Sequence, residues 1–356
     1  MKEEVNMKTH HTRATPFRVS IAMGACLGAL LLAGQVRAQT VAPTPAEWAR
    51  INEAAKGEGR VVLYTGLVAS MTDRLKADFE AANPGIALIS TRVVGSAILP
   101  RLDQERSAGV DGADVAITVE TAWMEDRARE NVLRKPIGPA AAAWPQGYAL
   151  RGVIPVLSLE PFVIAYNTNL VKPPIASYAD FLRPEFKGRK FAAPVLSSTA
   201  LIAWYDWLEK TQGTQFFQAF AAQAPRHFTS SIPATQAVAS GEVVAAILST
   251  PASIFPLTNQ GAPVKMVVPS PSLGFQWGGA ILGWGKRPNA SYVLMNYLMS
   301  PRGQAIWNGQ GDSASPLPNI KGSLEARSIH AYEPAKYTPD VVKSFTERWN
   351  TLFTAR

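Results

Sequence analysis

Ser158-Leu159-Glu160-Pro161-Phe162-Val163-Ile164-Ala165-Tyr166-Asn167, followed by Thr168-Asn169-Leu170-Val171 and Pro173-Pro174, is the stretch on which the architecture turns. Its apolar run is short and rich in aromatic and β-branched residues, with Pro161 near its start and a turn-prone Asn-Thr-Asn after it. That pattern predicts an extended strand rather than a helix. One series of alternating strand and helix signals precedes it and another follows. We read it as the strand by which the chain leaves one lobe and enters a second.

Upstream, the continuous apolar run Val61–Thr65, bounded by Gly59 and Gly66, predicts a strand buried on both faces. Met71, Leu75 and Phe79 repeat at helical spacing, with Ser70 and Asp73 as a capping pair and Asn83-Pro84-Gly85 as the stop. Strands at 86–90 and 114–118 and helices at 97–108 and 121–130 continue the alternation, which predicts a parallel sheet with right-handed crossovers. Downstream, strands are expected at 189–193, 226–228, 243–248 and 264–268, with helices at 198–211, 214–222 and 234–240. The segment 274–284 alternates aromatics with glycine and is expected to return the chain to the first lobe, where backbones pack closely. Helices at 292–299, 301–308 and 339–353 complete it. The expectation is an α/β protein with lobe 1 formed by 39–159 and 271–356 and lobe 2 by 160–270. Two crossing strands would join the lobes around a ligand cleft.

Lys2, Lys8, Arg13 and Arg18 precede an apolar run from Val19 to Ala33, and Val36-Arg37-Ala38 follows. This predicts an export signal peptide over residues 1–38, cleaved after Ala38. The run is short for a retained anchor. Cys26, the single cysteine, lies inside it, and the apolar residues continue past it, which argues against lipidation. A mature chain without thiols excludes disulfides, thiolate metal sites and cysteine nucleophiles. The full chain carries 35 Lys and Arg against 27 Asp and Glu, a net +8, with the basic residues scattered rather than in runs. No nucleic-acid groove is expected from that spread, and a mild preference for anionic ligands is. His227 and His330 have no metal spacing, and neither a Gly-x-Ser-x-Gly elbow nor a phosphate loop occurs. An enzyme reading therefore has little to stand on, and no cofactor is expected.

Several landmarks carry a family resemblance. Gly57-Glu58-Gly59-Arg60-Val61-Val62-Leu63-Tyr64-Thr65, then Phe79-Glu80-Ala81-Ala82-Asn83-Pro84-Gly85-Ile86, then Ala113-Asp114-Val115 resemble the opening of bacterial ABC-transporter substrate-binding proteins of the iron(III), thiamine and putrescine group. Ile164-Ala165-Tyr166-Asn167, Phe186-Lys187-Gly188-Arg189, Val238-Ala239-Ser240-Gly241-Glu242, Gly261-Ala262-Pro263-Val264 and Met299-Ser300-Pro301-Arg302-Gly303-Gln304 are similar to its later landmarks, in the same order. The resemblance implies a type II periplasmic-binding-protein fold, a periplasmic location, delivery of a small-molecule solute to an inner-membrane ABC permease, and no chemistry on the ligand. A monomer is expected. Iron-binding members carry adjacent tyrosines after the strand that follows the Gly-Glu landmark. Here that place reads Leu248-Ser249-Thr250-Pro251-Ala252-Ser253, without tyrosine.

In open parallel sheets ligands sit at the carboxyl ends of the strands. Those ends nominate Thr65 and Gly66, Ser96, Glu120, the run Ser197-Ser198-Thr199, Thr235, and Ser249 with Thr250. Three hydroxyls at a helix start without an acid suit an anion, although an ordinary N-cap needs only one of them. Ser96 and the residues around Thr235 head further helix starts without acids. Arg92 and Arg101 are alternative anion partners. Trp277 could cover an organic ligand's apolar face or pack in the core. Glu120 would support an amine, or merely favour a helix dipole. The leading expectation is a small anionic organic solute, with ferric iron or a polyamine as alternatives and an enzyme on the same fold as the different class.

Overall fold

The computed structural model describes residues 42–93 and 97–353, so the expected signal peptide lies outside the described residues. Helix α1 (Pro45–Glu58) opens on a capping box. The Thr44 hydroxyl accepts the Glu47 N–H while the Glu47 carboxylate accepts the Thr44 N–H, and Pro45 occupies the first turn. It stops at Gly59, whose φ of 72° favours glycine, two residues beyond the expected stop at Gly57.

The alternation then runs β1 (Arg60–Thr65), α2 (Ala69–Ala82), β2 (Ala87–Arg92), α3 (Ile98–Ala108), β3 (Val115–Thr118) and α4 (Thr121–Arg129). β1 lies between β2 and β3 and is parallel to both. The short elements β4 (Leu133–Arg134), α5 (Pro139–Ala142) and β5 (Ala149–Leu150) lead into β6 (Ile154–Pro161). The expected Ser70–Asp73 capping pair does not form. α2 begins earlier, on Val68, with no side-chain cap, which leaves Ser70 inside the first turn.

The deciding stretch is two strands rather than one. β6 ends at Pro161 in the first sheet, and β7 (Val163–Asn167) begins the second. Phe162 alone lies between them, and its N–H donates to the Leu273 carbonyl at 2.8 Å. The second sheet has the order β11-β7-β10-β8-β9. Its strands are β7, β8 (Phe191–Pro194), β9 (Arg226–Phe228), β10 (Ala245–Ser249) and β11 (Val264–Val267), interleaved with α6 (Thr199–Gln212), α7 (Thr214–Ala222), α8 (Ser231–Ser240) and α9 (Pro251–Thr258). α9 had no sequence expectation, because its eight residues include two prolines.

β12 (Ser272–Leu282) returns to the first sheet, antiparallel to both β6 and β3. A Cβ at Gly274 would lie 2.4 Å from the Glu160 carbonyl, so only glycine permits this approach. Then follow α10 (Pro288–Leu298), α11 (Pro301–Asn308), β13 (Ala314–Ser315), β14 (Leu324–Glu325), β15 (Ile329–Ala331) and α12 (Pro339–Phe353).

Each sheet is covered on both faces, as its near-continuous apolar strands require. Phe79, Leu63, Leu294 and Trp307 fill one side of the first sheet, and Ile98, Met124 and Ala280 the other. In the second sheet Phe191, Trp204, Tyr205 and Phe220 oppose a smaller cluster around Val238 and Ile254. α12 differs from expectation. The sequence grouped 271–356 with the first lobe, whereas Phe345 and Trp349 of α12 pack into the cluster of the second sheet, where Trp349 meets Tyr205 at 5.8 Å between ring centroids. Its strongly amphipathic face covers α6 and α7. Among the described residues no helix is long and apolar enough to cross a membrane.

Candidate functional site

The site is built from the carboxyl end of β1. Thr65 is fully buried, and its Oγ1 accepts the Leu67 N–H at 3.1 Å, which turns the chain out of the sheet at Gly66. Gly66 lies against the indole of Trp277: a Cβ there would sit 3.5 Å from Cη2 and 3.6 Å from Cζ3. Trp277 precedes Gly278, which pairs with Thr118 at the carboxyl end of β3. On the neighbouring strand Trp277 stands opposite Ser158, so Glu160, two residues along, is its diagonal neighbour on the same face. The indole Nε1–H donates to Glu160 Oε2 at 2.9 Å.

These residues open onto a cavity of about 720 Å³. From the first sheet's side it is lined by Gly66, Met71, Arg74, Glu160, Trp277 and Asp312, and from the second's by Pro251, Ala252, Phe255 and Pro256 of α9 and by Asn259 just after it. Burial pushes the Glu160 carboxyl above the usual range, the indole hydrogen bond opposes this, and the nearby charge of Asp312 adds to it. Burial also pushes Asp312 up, against the Ser313 hydroxyl and the positive charge of Arg74. Burial thus disfavours the charged form of both carboxyls in this cavity.

Of the residues nominated from sequence, Gly66 and Trp277 line this cavity. Thr65 serves the turn. Thr235 Oγ1 donates to the Ser231 carbonyl at 2.7 Å and so accepts from Ser249 Oγ at 2.6 Å, a fully buried pair that fixes α8 on β10. Thr250 Oγ1 bonds Ser253 Oγ at 2.9 Å. Ser197 Oγ donates to the Thr229 carbonyl at 3.1 Å, and Ser198 accepts the Leu201 N–H as the N-cap of α6. The Thr199 hydroxyl instead meets Tyr332 Oη at 2.7 Å. Glu120, partly buried, has its carboxyl pushed up by burial, and its charge acts on Tyr332. Ser96 lies outside the described residues. Arg92 donates to the Leu67 carbonyl and Arg101 pairs with Glu105 and Tyr64, so both have structural partners.

A second hollow, of about 560 Å³, lies between Thr121 and Glu125 on one side and Asp206, Trp207 and Tyr332 on the other. Sequence reasoning missed Arg74 and Asp312. Asp312 stands in Gln310-Gly311-Asp312-Ser313, which has no period, and its only signal is an acid beside glycine. Glu160 lies in the stretch read from sequence only as a strand.

Residues 60–311 match the family described as bacterial extracellular solute-binding protein. The chain belongs to this family. It is an α/β solute-binding protein with the two-sheet architecture of type II periplasmic binding proteins. Similar solved structures include the substrate-binding protein of an ABC transporter from Agrobacterium tumefaciens, at 19% identity and a TM-score of 0.66, covering 85% of this chain and 97% of that one. Iron-bound HitA from Pseudomonas aeruginosa matches at 17% identity and 0.61, covering 81% of this chain and 98% of HitA. AfuA from Actinobacillus pleuropneumoniae, with fructose-6-phosphate bound, matches at 16% and 0.57, covering 84% and 100%. No curated protein sequence matches the chain. At these identities the structural likenesses establish the solute-binding protein's fold, while its ligand has to be read from its own side chains.

Proposed function

We propose that this solute-binding protein captures a small solute between its two sheets in the periplasm, after loss of residues 1–38, and delivers it as a monomer to an inner-membrane ABC permease. It does no chemistry on the solute. The observation that carries this is the 720 Å³ cavity, whose walls come from both sheets while three chain crossings join them, at Phe162, between Val267 and Ser272, and between Ala331 and Pro339, where the chain leaves the first sheet to seat α12. A solute touching both walls would hold the halves together, the general logic of hinge closure. The division into 39–159 with 271–356 and 160–270 belongs to this proposal, with α12 moving alongside the second sheet because its apolar face is seated there.

Gly66, Glu160, Trp277 and Asp312 are proposed to touch the solute. Thr199 and Glu120, with Tyr332, are proposed to meet across the closing halves rather than to bind an anion. Ferric iron finds little support: the cavity's lining offers no tyrosine, and among the described residues no group of three or more His, Cys, Asp or Glu could hold a metal. Native mass spectrometry of protein taken gently from a periplasmic extract tests the receptor reading. A retained small mass that is lost on partial unfolding supports it. Protein that carries no solute and responds to no member of a broad solute panel would refute it.

A further inference from the structure

Resting on that receptor reading, we propose that the third crossing, from Tyr332 to Tyr337, is a strap that restrains how far the two halves open. Tyr332 is bonded to both of them. It follows β15, which runs parallel to β12 at Ser272–Gly274, and its N–H donates to the Gly274 carbonyl at 2.8 Å, while its hydroxyl shares a 2.7 Å hydrogen bond with Thr199 at the start of α6. Further on, Tyr337 Oη donates to Asp206 Oδ2 of α6 at 3.0 Å. Beyond it α12 is fixed to the second half by Phe345 and Trp349 in the core and by the Arg348 guanidinium, 2.7 and 2.6 Å from the two Glu209 carboxylate oxygens. Rotation that carries α6 away from β12 therefore pulls on a short segment anchored at both ends.

The slack in it is small. Between the anchors the chain is wound into a 3₁₀ turn, Pro334–Lys336, with the Lys336 N–H on the Glu333 carbonyl at 3.1 Å and the Tyr337 N–H on the Pro334 carbonyl at 3.0 Å. Drawing such a turn from its 3₁₀ rise to full extension releases about 4 Å, and any wider opening has to break a tyrosine hydroxyl bond. A line of rings couples the strap to the pivot. Phe162, where the chain first crosses, packs edge-on against Phe275 at 4.9 Å, Phe275 against Tyr332 at 6.3 Å, and Tyr332 against Tyr337 at 6.0 Å. Towards α4 there is room, because the 560 Å³ hollow separates the strap from Thr121, Ala122 and Glu125. The halves can thus close but are held against opening, which keeps the empty receptor nearer its capturing arrangement and lowers the conformational cost of binding.

The test is double electron–electron resonance on the chain from residue 39 onward, which contains no cysteine, with spin labels on Ile89→Cys in β2 and Ile232→Cys in α8, both exposed and on opposite halves. Without added solute the parent is expected to give one narrow distance distribution. Tyr332→Phe combined with Tyr337→Phe keeps the ring packing and removes both hydroxyl bonds, so it should add a longer-distance population that the parent lacks. Thr199→Val alone should reproduce part of that population. Ser198→Ala is the control: it weakens the same helix start without touching the strap, and should lower the melting temperature while leaving the distances alone. Superimposable distributions in the parent and the tyrosine variant overturn the inference. Equal broadening in Ser198→Ala overturns it too, since the effect would then be a general loosening. Either result leaves the receptor reading standing, because that reading is decided by solute retention and no solute enters this measurement.

Discussion

Trp277 and Glu160 are joined across the two antiparallel strands that link the sheets, Nε1 to Oε2 at 2.9 Å, beside the residue where the chain crosses over. The bond holds the carboxylate in place without neutralising it. Burial raises the Glu160 and Asp312 carboxyls, so these groups hold protons in the folded state that they would release in the unfolded chain. Stability contributed by these groups is therefore present at low pH and falls as pH rises through their folded values. Glu160→Gln should flatten that fall and raise the melting temperature at neutral pH. A melting series across mild acid to neutral pH checks this, and a variant that is less stable than the parent at neutral pH contradicts it.

Gly66 gives a steric test of the same wall. A Cβ there meets Trp277 at 3.5 Å, an ordinary contact, and the backbone is not in the left-handed region, so Gly66→Ala should fold normally. Gly66→Leu would extend branched atoms into the cavity. Solute affinity should drop at least tenfold in the leucine variant with little change in melting temperature. Equal affinity in both variants would place the solute elsewhere.

Ser198 separates capping from binding. Its hydroxyl accepts the Leu201 N–H at the start of α6. Ser198→Ala should cost about 1 kcal/mol of stability, the usual value of an N-cap, and leave solute affinity unchanged. Chemical denaturation and calorimetry on one preparation measure both, and a large affinity loss with stability intact would return Ser198 to the binding residues.

The sheets were legible because 61–64, 115–117 and 243–248 are apolar without alternation, as doubly covered strands are. The crossing was legible as a strand but not as a break, since nothing in Pro161-Phe162-Val163 distinguishes a strand that changes sheets from one that continues. Gly66 and Trp277, which line the cavity, could be nominated from sequence because strand ends and glycine-spaced aromatics have local signatures. Asp312 and Tyr332 were not, because 309–338 is mostly turns and two- or three-residue strands, too short to show a period. Ser197, Ser198 and Thr199 show the converse difficulty: one pattern fits an anion site and an ordinary helix start, and three-dimensional partners decide between them.

His227 makes α12 the acid-sensitive edge. Its ring packs against Trp349 at 5.2 Å and Phe353 at 5.8 Å. Burial holds its pKa below the usual value, and the charge of Arg189 adds to this. A depressed histidine means the unfolded chain takes up the proton first, so stability is lost as pH falls from about 6.5 towards the folded value. Hydrogen exchange across 339–353 should quicken in that window, and His227→Phe should suppress the change. Exchange in α12 that is indifferent to pH in both proteins, after correction for intrinsic rates, would show that the histidine does not govern its docking.

Asp114 should be the costliest single change far from the cavity. It is fully buried beside β1, where Oδ2 accepts the Val62 N–H at 2.8 Å and the Arg287 guanidinium at 2.9 Å, and Oδ1 accepts the Arg287 N–H at 3.0 Å. Every acceptor position that matters is thus engaged, and one carboxylate ties the first strand to the entry of α10. Asp114→Asn keeps the volume but turns an NH₂ towards donors and leaves the buried Arg287 with only Asp111 as counter-charge. A loss of about 3–5 kcal/mol is expected, the range for breaking a buried pair from one side. The denaturation midpoint should fall with its slope unchanged. Because Asp114 is absent from the cavity lining, the remaining folded fraction should bind solute with parental affinity. A destabilisation below about 1 kcal/mol would mean that Asp111 and the backbone already satisfy Arg287, and that this carboxylate is not what fastens α10 to the sheet.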